Sequence, residues 1–199
     1  MQYNPWRSTC TTGLAPLQRS ILAEEAQTRL IRTWQPDLVI GLLQTEAYAH
    51  AILSACIDVI EVPNDVDGVV ATRLHRQRLL DQDGHEFRFL MGEWVLYRTV
   101  GNHKVMVEQL THLLDVMTNP RLSIGIVPLG AEFRAPAPGF VLHDDVRAST
   151  ELVAGEIVID DPEGVALHLK TFEILTSQAV FEDQASQLIA KAREIHQSS

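Results

Sequence analysis

The chain has 199 residues, 46% of them apolar, and its 26 acidic against 16 basic side chains give a net charge of −10. That describes one globular domain, and the acidic balance argues against a nucleic-acid partner, because duplex binding needs a positive footprint over several phosphates. No apolar run approaches the roughly 18 residues that span a bilayer, and Met1 to Cys10 lacks the apolar centre of a signal peptide, so a cytoplasmic protein without membrane contact is expected.

Leu14, Leu17, Ile21, Leu22, Leu30 and Ile31 recur at helical spacing and predict a first helix over 14–33, stopped before Pro36. Thr45 is placed to cap a second helix that runs to about Cys56. Pro63-Asn64-Asp65 opens a third, to about Leu80, which Asp83-Gly84 ends. Phe87, Phe89 and Met91 alternate as in a strand over 86–91, and Gly92 lets the chain turn into a short helix over 93–98. A helix over 104–117 stops before Asn119-Pro120, and a strand follows over 121–127. Residues 128–139 hold three prolines and two glycines and read as a long loop. Strands are expected at 139–143, 147–153 and 156–159, then helices over 162–177, with Pro162 in the first turn, and 181–196. The expected fold is a single α+β domain over 1–199: a helical part at about 14–82, a largely antiparallel sheet within 86–160 and two C-terminal helices within 162–196.

Two segments stand out. Leu38 to Tyr48 reads Leu-Val-Ile-Gly-Leu-Leu-Gln-Thr-Glu-Ala-Tyr, and Ala71 to Gln77 reads Ala-Thr-Arg-Leu-His-Arg-Gln. In order and spacing they resemble the C-terminal domain of unknown function that follows the helix-turn-helix in WhiJ-type transcriptional regulators. The likeness continues through Leu17-Gln18, Glu25-Ala26, Ile31, Glu93, Gly101, Gln109-Leu110, Pro128, Phe140 and Glu151. It starts near Trp6, so the chain is expected to be a standalone copy without the DNA-reading head. The departures are Ile40 where the family has proline, Ser149 where it has an aromatic residue, and Glu132 and Arg134 around its loop histidine. A standalone copy of this kind is similar to the Pictet–Spenglerases of streptonigrin-type biosynthesis, a likeness that no single motif carries.

The candidate site residues follow from chemistry. Glu93 sits after an apolar strand beside Trp94 and Tyr97; against aromatic surface a carboxyl is desolvated and suited to proton transfer, while the plainer role is a helix N-terminal charge. Arg73, Arg76 and Gln77 share a helix face that can grip a carboxylate or form structural ion pairs with acids such as Glu93 and Glu151. Gln44 and Tyr48 lie four apart and either line a cavity or serve packing and capping. Glu151 is either a pocket acid or an edge charge. Neither His112 nor His143 has partners at a metal-ligand spacing, Cys10 and Cys56 form no disulfide framework, and phosphate loops and dinucleotide fingerprints are missing. No metal or organic cofactor is expected.

Three functions remain. One is a small-molecule-sensing module, which could act through a homodimer. The second is the cyclase that the resemblance implies, joining a tryptophan-like amine to an aldehyde, with Glu93 or Glu151 as acid/base, Arg73 or Arg76 on a carboxylate, and Trp94 and Tyr97 stacked on indole and cation. The third is an interaction protein with an exposed apolar patch.

Overall fold

The computed structural model describes all residues, Met1–Ser199. In chain order the elements are β1 (Gln2–Pro5), α1 (Trp6–Thr9), α2 (Ala15–Glu25), β2 (Leu30–Gln35), α3 (Glu46–Ile60), α4 (Val66–Arg76), β3 (Glu86–Gly92), α5 (His103–Val116), β4 (Leu122–Val127), β5 (Phe140–His143), β6 (Arg147–Leu152), β7 (Gly155–Ile159), α6 (Pro162–Thr176) and α7 (Glu182–Gln197). Short 3₁₀ turns lie at Gly41–Leu43, Gln77–Asp81 and Glu93–Leu96.

All seven strands join one sheet in the order β1-β7-β6-β5-β2-β3-β4. The pairings from β1 through β7, β6 and β5 to β2 are antiparallel, whereas β2–β3 and β3–β4 are parallel. The helices α3 and α4 connect β2 to β3, and α5 connects β3 to β4, as parallel neighbours require a crossover. The α+β class with a largely antiparallel sheet therefore stands as expected.

Two local expectations change. The helix expected over 14–33 ends at Glu25, and Leu30–Gln35 is a strand at the middle of the sheet. Leu30 and Ile31 continue the helical spacing of α2 by coincidence. Pairing with β3 and β5 then puts Ile31 and Thr33 on one face and Arg32 and Trp34 on the other. The four-residue β1 pairs with β7, too short to show a pattern of its own. Elsewhere boundaries differ by a few residues; Thr45 does cap α3, accepting the Tyr48 N–H at 3.4 Å.

Two apolar clusters cover the faces of the sheet, and a third lies among the N-terminal helices. Phe87, Phe89, Met91, Ile124 and Ile126 pack with Met106, Leu110 and Leu113 of α5 and with Ala185 and Ile189 of α7. On the opposite face Trp34, Leu90, Leu142 and Ile159 pack with Val165, Phe172 and Leu175 of α6. A third cluster joins Trp6 and Leu14 to Leu53 and Ile57 of α3 and Val69 and Val70 of α4.

Candidate functional site

One part of the sheet breaks its own rule. The face that is apolar over β3 and β4 turns polar over its other strands: β2 contributes Thr33 and Gln35, β5 contributes His143, β6 Ser149 and Glu151, and β7 Glu156. Period-two alternation puts these polar side chains on one face, broken by Val141 of β5, and α2, α3 and α4 lie over it. A strip of this kind under helices cannot close as a core, since polar groups are costly to bury without partners. It bounds a cavity of about 200 Å³ instead.

The Leu42-Leu43-Gln44-Thr45 stretch forms one wall and is pinned from three sides. Gln109 of α5 donates to Leu43 O at 2.7 Å and accepts from Thr45 N at 2.8 Å. Gln77 donates to Gln44 O at 2.5 Å. Within the turn, Gln44 Nε2 donates to Val39 O at 2.7 Å, and the Tyr48 hydroxyl accepts from Val39 N at 3.1 Å. Tyr48 and Gln77 thus hold the wall and do not line the cavity, whereas Gln44 lines it.

The two arginines of α4 have different partners. Arg76 is buried and forms a two-pronged pair with Glu25, at 2.9 Å from Nε and 2.5 Å from Nη2, while its Nη1 donates to Gln18. Arg73 has no carboxylate partner. Its Nη1 donates to Gln44 Oε1 at 2.6 Å and its Nε reaches Gln18 Oε1 at 3.5 Å, which leaves Nη2 open toward the cavity. Burial, with help from the like charge of Arg76, pulls Arg73 down to about 10, still cationic at neutral pH.

Of the four glutamates lining the cavity, Glu25 pairs with Arg76 and Glu24 with Arg147, but Glu151 and Glu156 form no ion pair. They stand directly opposite each other on β6 and β7. Glu156 has one long contact, from Asn4 Nδ2 at 3.5 Å, and Glu151 has none. Glu151 is exposed near the end of β6, and it lines both this cavity and the space beside it. Enclosure raises its pKa above 4.5, Arg73 pulls it back down, and Glu156 adds to the rise.

Seven lining residues, among them Arg73, Glu151, Cys56 and Leu53, also face an adjoining chamber of about 420 Å³. This one is apolar, with Trp6, Leu14, Leu17, Ile60 and Leu152 in its walls. Trp6 is held there by its indole N–H, which donates to Leu152 O at 2.9 Å. A polar chamber beside an apolar one, with the Arg73 cation and the Glu151 carboxyl shared between them, has the build of a small-molecule site.

Glu93, Trp94 and Tyr97 were expected to join Gln44 and the arginines but lie outside this cavity. Glu93 accepts from Leu129 N at 2.8 Å and from the Tyr97 hydroxyl at 3.3 Å, clasping the start of the loop after β4. Trp94 is 51% exposed. Gln44, Arg73, Arg76 and Glu151 do converge. Sequence reasoning missed Trp6, Thr33, His143 and Glu156 as lining residues. Only the alternation of Arg147, Ser149 and Glu151 along β6 signalled a polar inner face. The structure has no cluster of three or more His, Cys, Asp or Glu side chains arranged to hold a metal ion, and no helix long and apolar enough to cross a membrane.

No curated protein matches the chain. Among solved structures it is similar to TrmBL2, an archaeal chromatin protein described as showing a novel mode of DNA binding. The two share 12% identity with a TM-score of 0.42, over 84% of this chain and 49% of that one, so the chain spans about half the length of TrmBL2. A superposition that loose assigns neither fold nor function. The family match is of a different order, covering residues 18–191 and with them most of α2 through most of α7: the chain belongs to the family described as Domain of unknown function (DUF5753).

Proposed function

We propose that this chain is a cofactor-independent cyclase that condenses a tryptophan-type amino acid with an aldehyde, and that the cavity under α2–α4 is its active site. The observation that supports this is the junction of the two chambers, where Arg73 and Glu151 face one space and neither has an ionic partner. Arg73 grips the amino-acid carboxylate, as a guanidinium fork is built to do. The indole lies in the apolar chamber against Trp6, and the amine nitrogen sits near Glu151 and Glu156.

The neutral amine nitrogen adds to the aldehyde carbon, and the Glu151 carboxyl gives its proton as water leaves, so that an iminium and the Glu151 carboxylate are formed. Indole C2 then bonds to the iminium carbon, whose π electrons pass to nitrogen. The C2 proton moves to the Glu151 carboxylate and its bonding pair restores the aromatic ring. Holding both reactants in reacting geometry supplies much of the rate, with effective molarities on the order of 10⁵ M or more. The two carboxyls stabilise the iminium cation, and Glu151, whose pKa enclosure raises, gives and takes back the proton.

The test is to incubate purified protein with tryptophan and aldehydes, with and without chelator, and to follow tetrahydro-β-carboline formation. Product above the enzyme-free rate is expected in both. Saturable tryptophan binding with no product would instead favour a ligand-sensing domain, with the same cavity as its ligand site.

A further inference from the structure

On the sheet face opposite the cavity, α6 leaves a groove of about 340 Å³ over β2, β3 and β4. Arg32, Arg88 and Ser123 are direct neighbours across these three strands and line it together. Glu173 of α6 lines it as well, and so does the half-buried Phe181. A side chain at Gly125 would meet Phe181 at 2.6 Å and Leu90 at 2.7 Å, so the glycine lets the Phe181 ring lie on the sheet beside Leu90. The groove shares no residue with either chamber on the other face.

Its charged groups differ in their partners. Arg32 is committed, since its Nη1 meets Asp145 Oδ1 and Asp144 O, each at 3.0 Å. Arg88, Glu173 and Ser123 are exposed. The Arg88 and Glu173 side chains form no ion pair or hydrogen bond with the protein or with each other, and the Ser123 hydroxyl is also unbonded. A cation and an anion that line one groove without meeting leave a space whose potential changes sign across it. A simple anion is repelled there by Glu173, and a simple cation by Arg88 and Arg32. A molecule that carries both charges on one carbon satisfies both walls.

We propose that this groove is a second ligand site, which takes a free α-amino acid with an apolar side chain. The Arg88 fork matches the carboxylate, and the Ser123 hydroxyl donates to the same group. Glu173 holds the ammonium, and the apolar side chain lies against Phe181. Arg32 adds positive potential beside the carboxylate. The site lies across the sheet from the cavity and does not depend on what the cavity does.

NMR titration of the isotope-labelled protein with L-leucine tests this. The amides of Arg88, Ser123 and Glu173 are expected to shift with a dissociation constant of about 1 mM or below. Leucinamide lacks the carboxylate and N-acetylleucine lacks the ammonium, so each forfeits a charged hydrogen bond and should bind about tenfold more weakly or worse. Arg88→Gln and Glu173→Gln should each bring leucine down to that weaker level. Both residues are exposed, so melting temperatures should hold, which separates lost recognition from lost folding. Arg73→Lys, which alters the cavity, should leave the response of these three amides as it is. Silent amides at about tenfold higher leucine, or shifts confined to the residues around Arg73, would overturn the site. So would equal binding of either derivative, or leucine binding that neither Arg88→Gln nor Glu173→Gln weakens. The expected pattern would establish the site even if no tryptophan is turned over, in which case the cyclase reading alone fails.

Discussion

Arg73 Nη1 donates to Gln44 Oε1 at 2.6 Å, and this one bond joins α4 to the turn that precedes α3. Gln44 cannot swing away, because its own amide is committed to Val39 O at 2.7 Å. The guanidinium is therefore aimed by a residue that is itself fixed, with one nitrogen left for a ligand.

Arg73→Lys keeps the charge and loses the fork. A hydrogen bond to a charged group contributes roughly 1.5–3 kcal/mol, so tryptophan affinity should fall by about 10- to 100-fold. Affinity for tryptamine, which lacks the carboxylate, should change little. Calorimetric titration of both ligands checks this, and equal losses for the two would remove Arg73 from carboxylate recognition.

The Arg76–Glu25 pair should behave differently, as a structural element. It is buried and two-pronged, and Gln18 completes it. Removing one partner strands a buried charge, so Arg76→Ala should cost about 3–5 kcal/mol in urea unfolding. The double variant Arg76→Met with Glu25→Leu should recover much of that loss.

Glu151 gives a pH dependence whose sign is fixed. Its pKa is raised on folding, chiefly by enclosure, so above pH 4.5 the folded state holds more protons than the unfolded one. Stability then falls as pH rises from 4.5 through the raised value, and Glu151→Gln should flatten that fall. His143 runs the other way. Burial lowers its pKa below 6.5, so its contribution is present above 6.5 and lost as pH drops through the lowered value. Denaturant midpoints at intervals from pH 4 to 8 separate the two.

Cys56 reports on occupancy. It faces both chambers, and burial first, then Glu151, raises its thiol above 9.0 against the pull of Arg73. Alkylation by a maleimide should be slow at pH 7, faster at pH 9 and suppressed by tryptophan. The fully buried Cys10 serves as the internal reference in mass spectrometry. Labelling of Cys56 that tryptophan does not slow would place the ligand elsewhere.

Much of the fold was legible because it rests on local rules: the Thr45 cap, the Asp83-Gly84 break and the alternation of Phe87, Phe89 and Met91 all act within a few residues. Residues 30–35 were not, since Leu30 and Ile31 satisfy both the helical spacing of α2 and a strand, and only pairing with β3 and β5 decides between them. The site was half legible for a related reason. Gln44, Arg73, Arg76 and Glu151 were singled out by residue type and motif. Glu93 looked equivalent, but a glutamate at a strand end carries no mark of which cavity it faces, and this one clasps Leu129. Trp6 and Glu156 reach the site only through the pairing of β1, β6 and β7.

The most direct measurement compares three proteins in one assay: the unaltered chain, Glu151→Gln and Glu93→Gln, each with tryptophan and an aldehyde. Both substitutions keep shape and remove a carboxylate, so they differ only in which one the chemistry uses. Glu151→Gln is expected to lose about 10²- to 10⁴-fold in turnover, the usual cost of a missing acid/base group, while Glu93→Gln stays within about twofold. Unchanged turnover in Glu151→Gln, or a large loss confined to Glu93→Gln, would contradict the placement of the active site in the cavity under α2–α4.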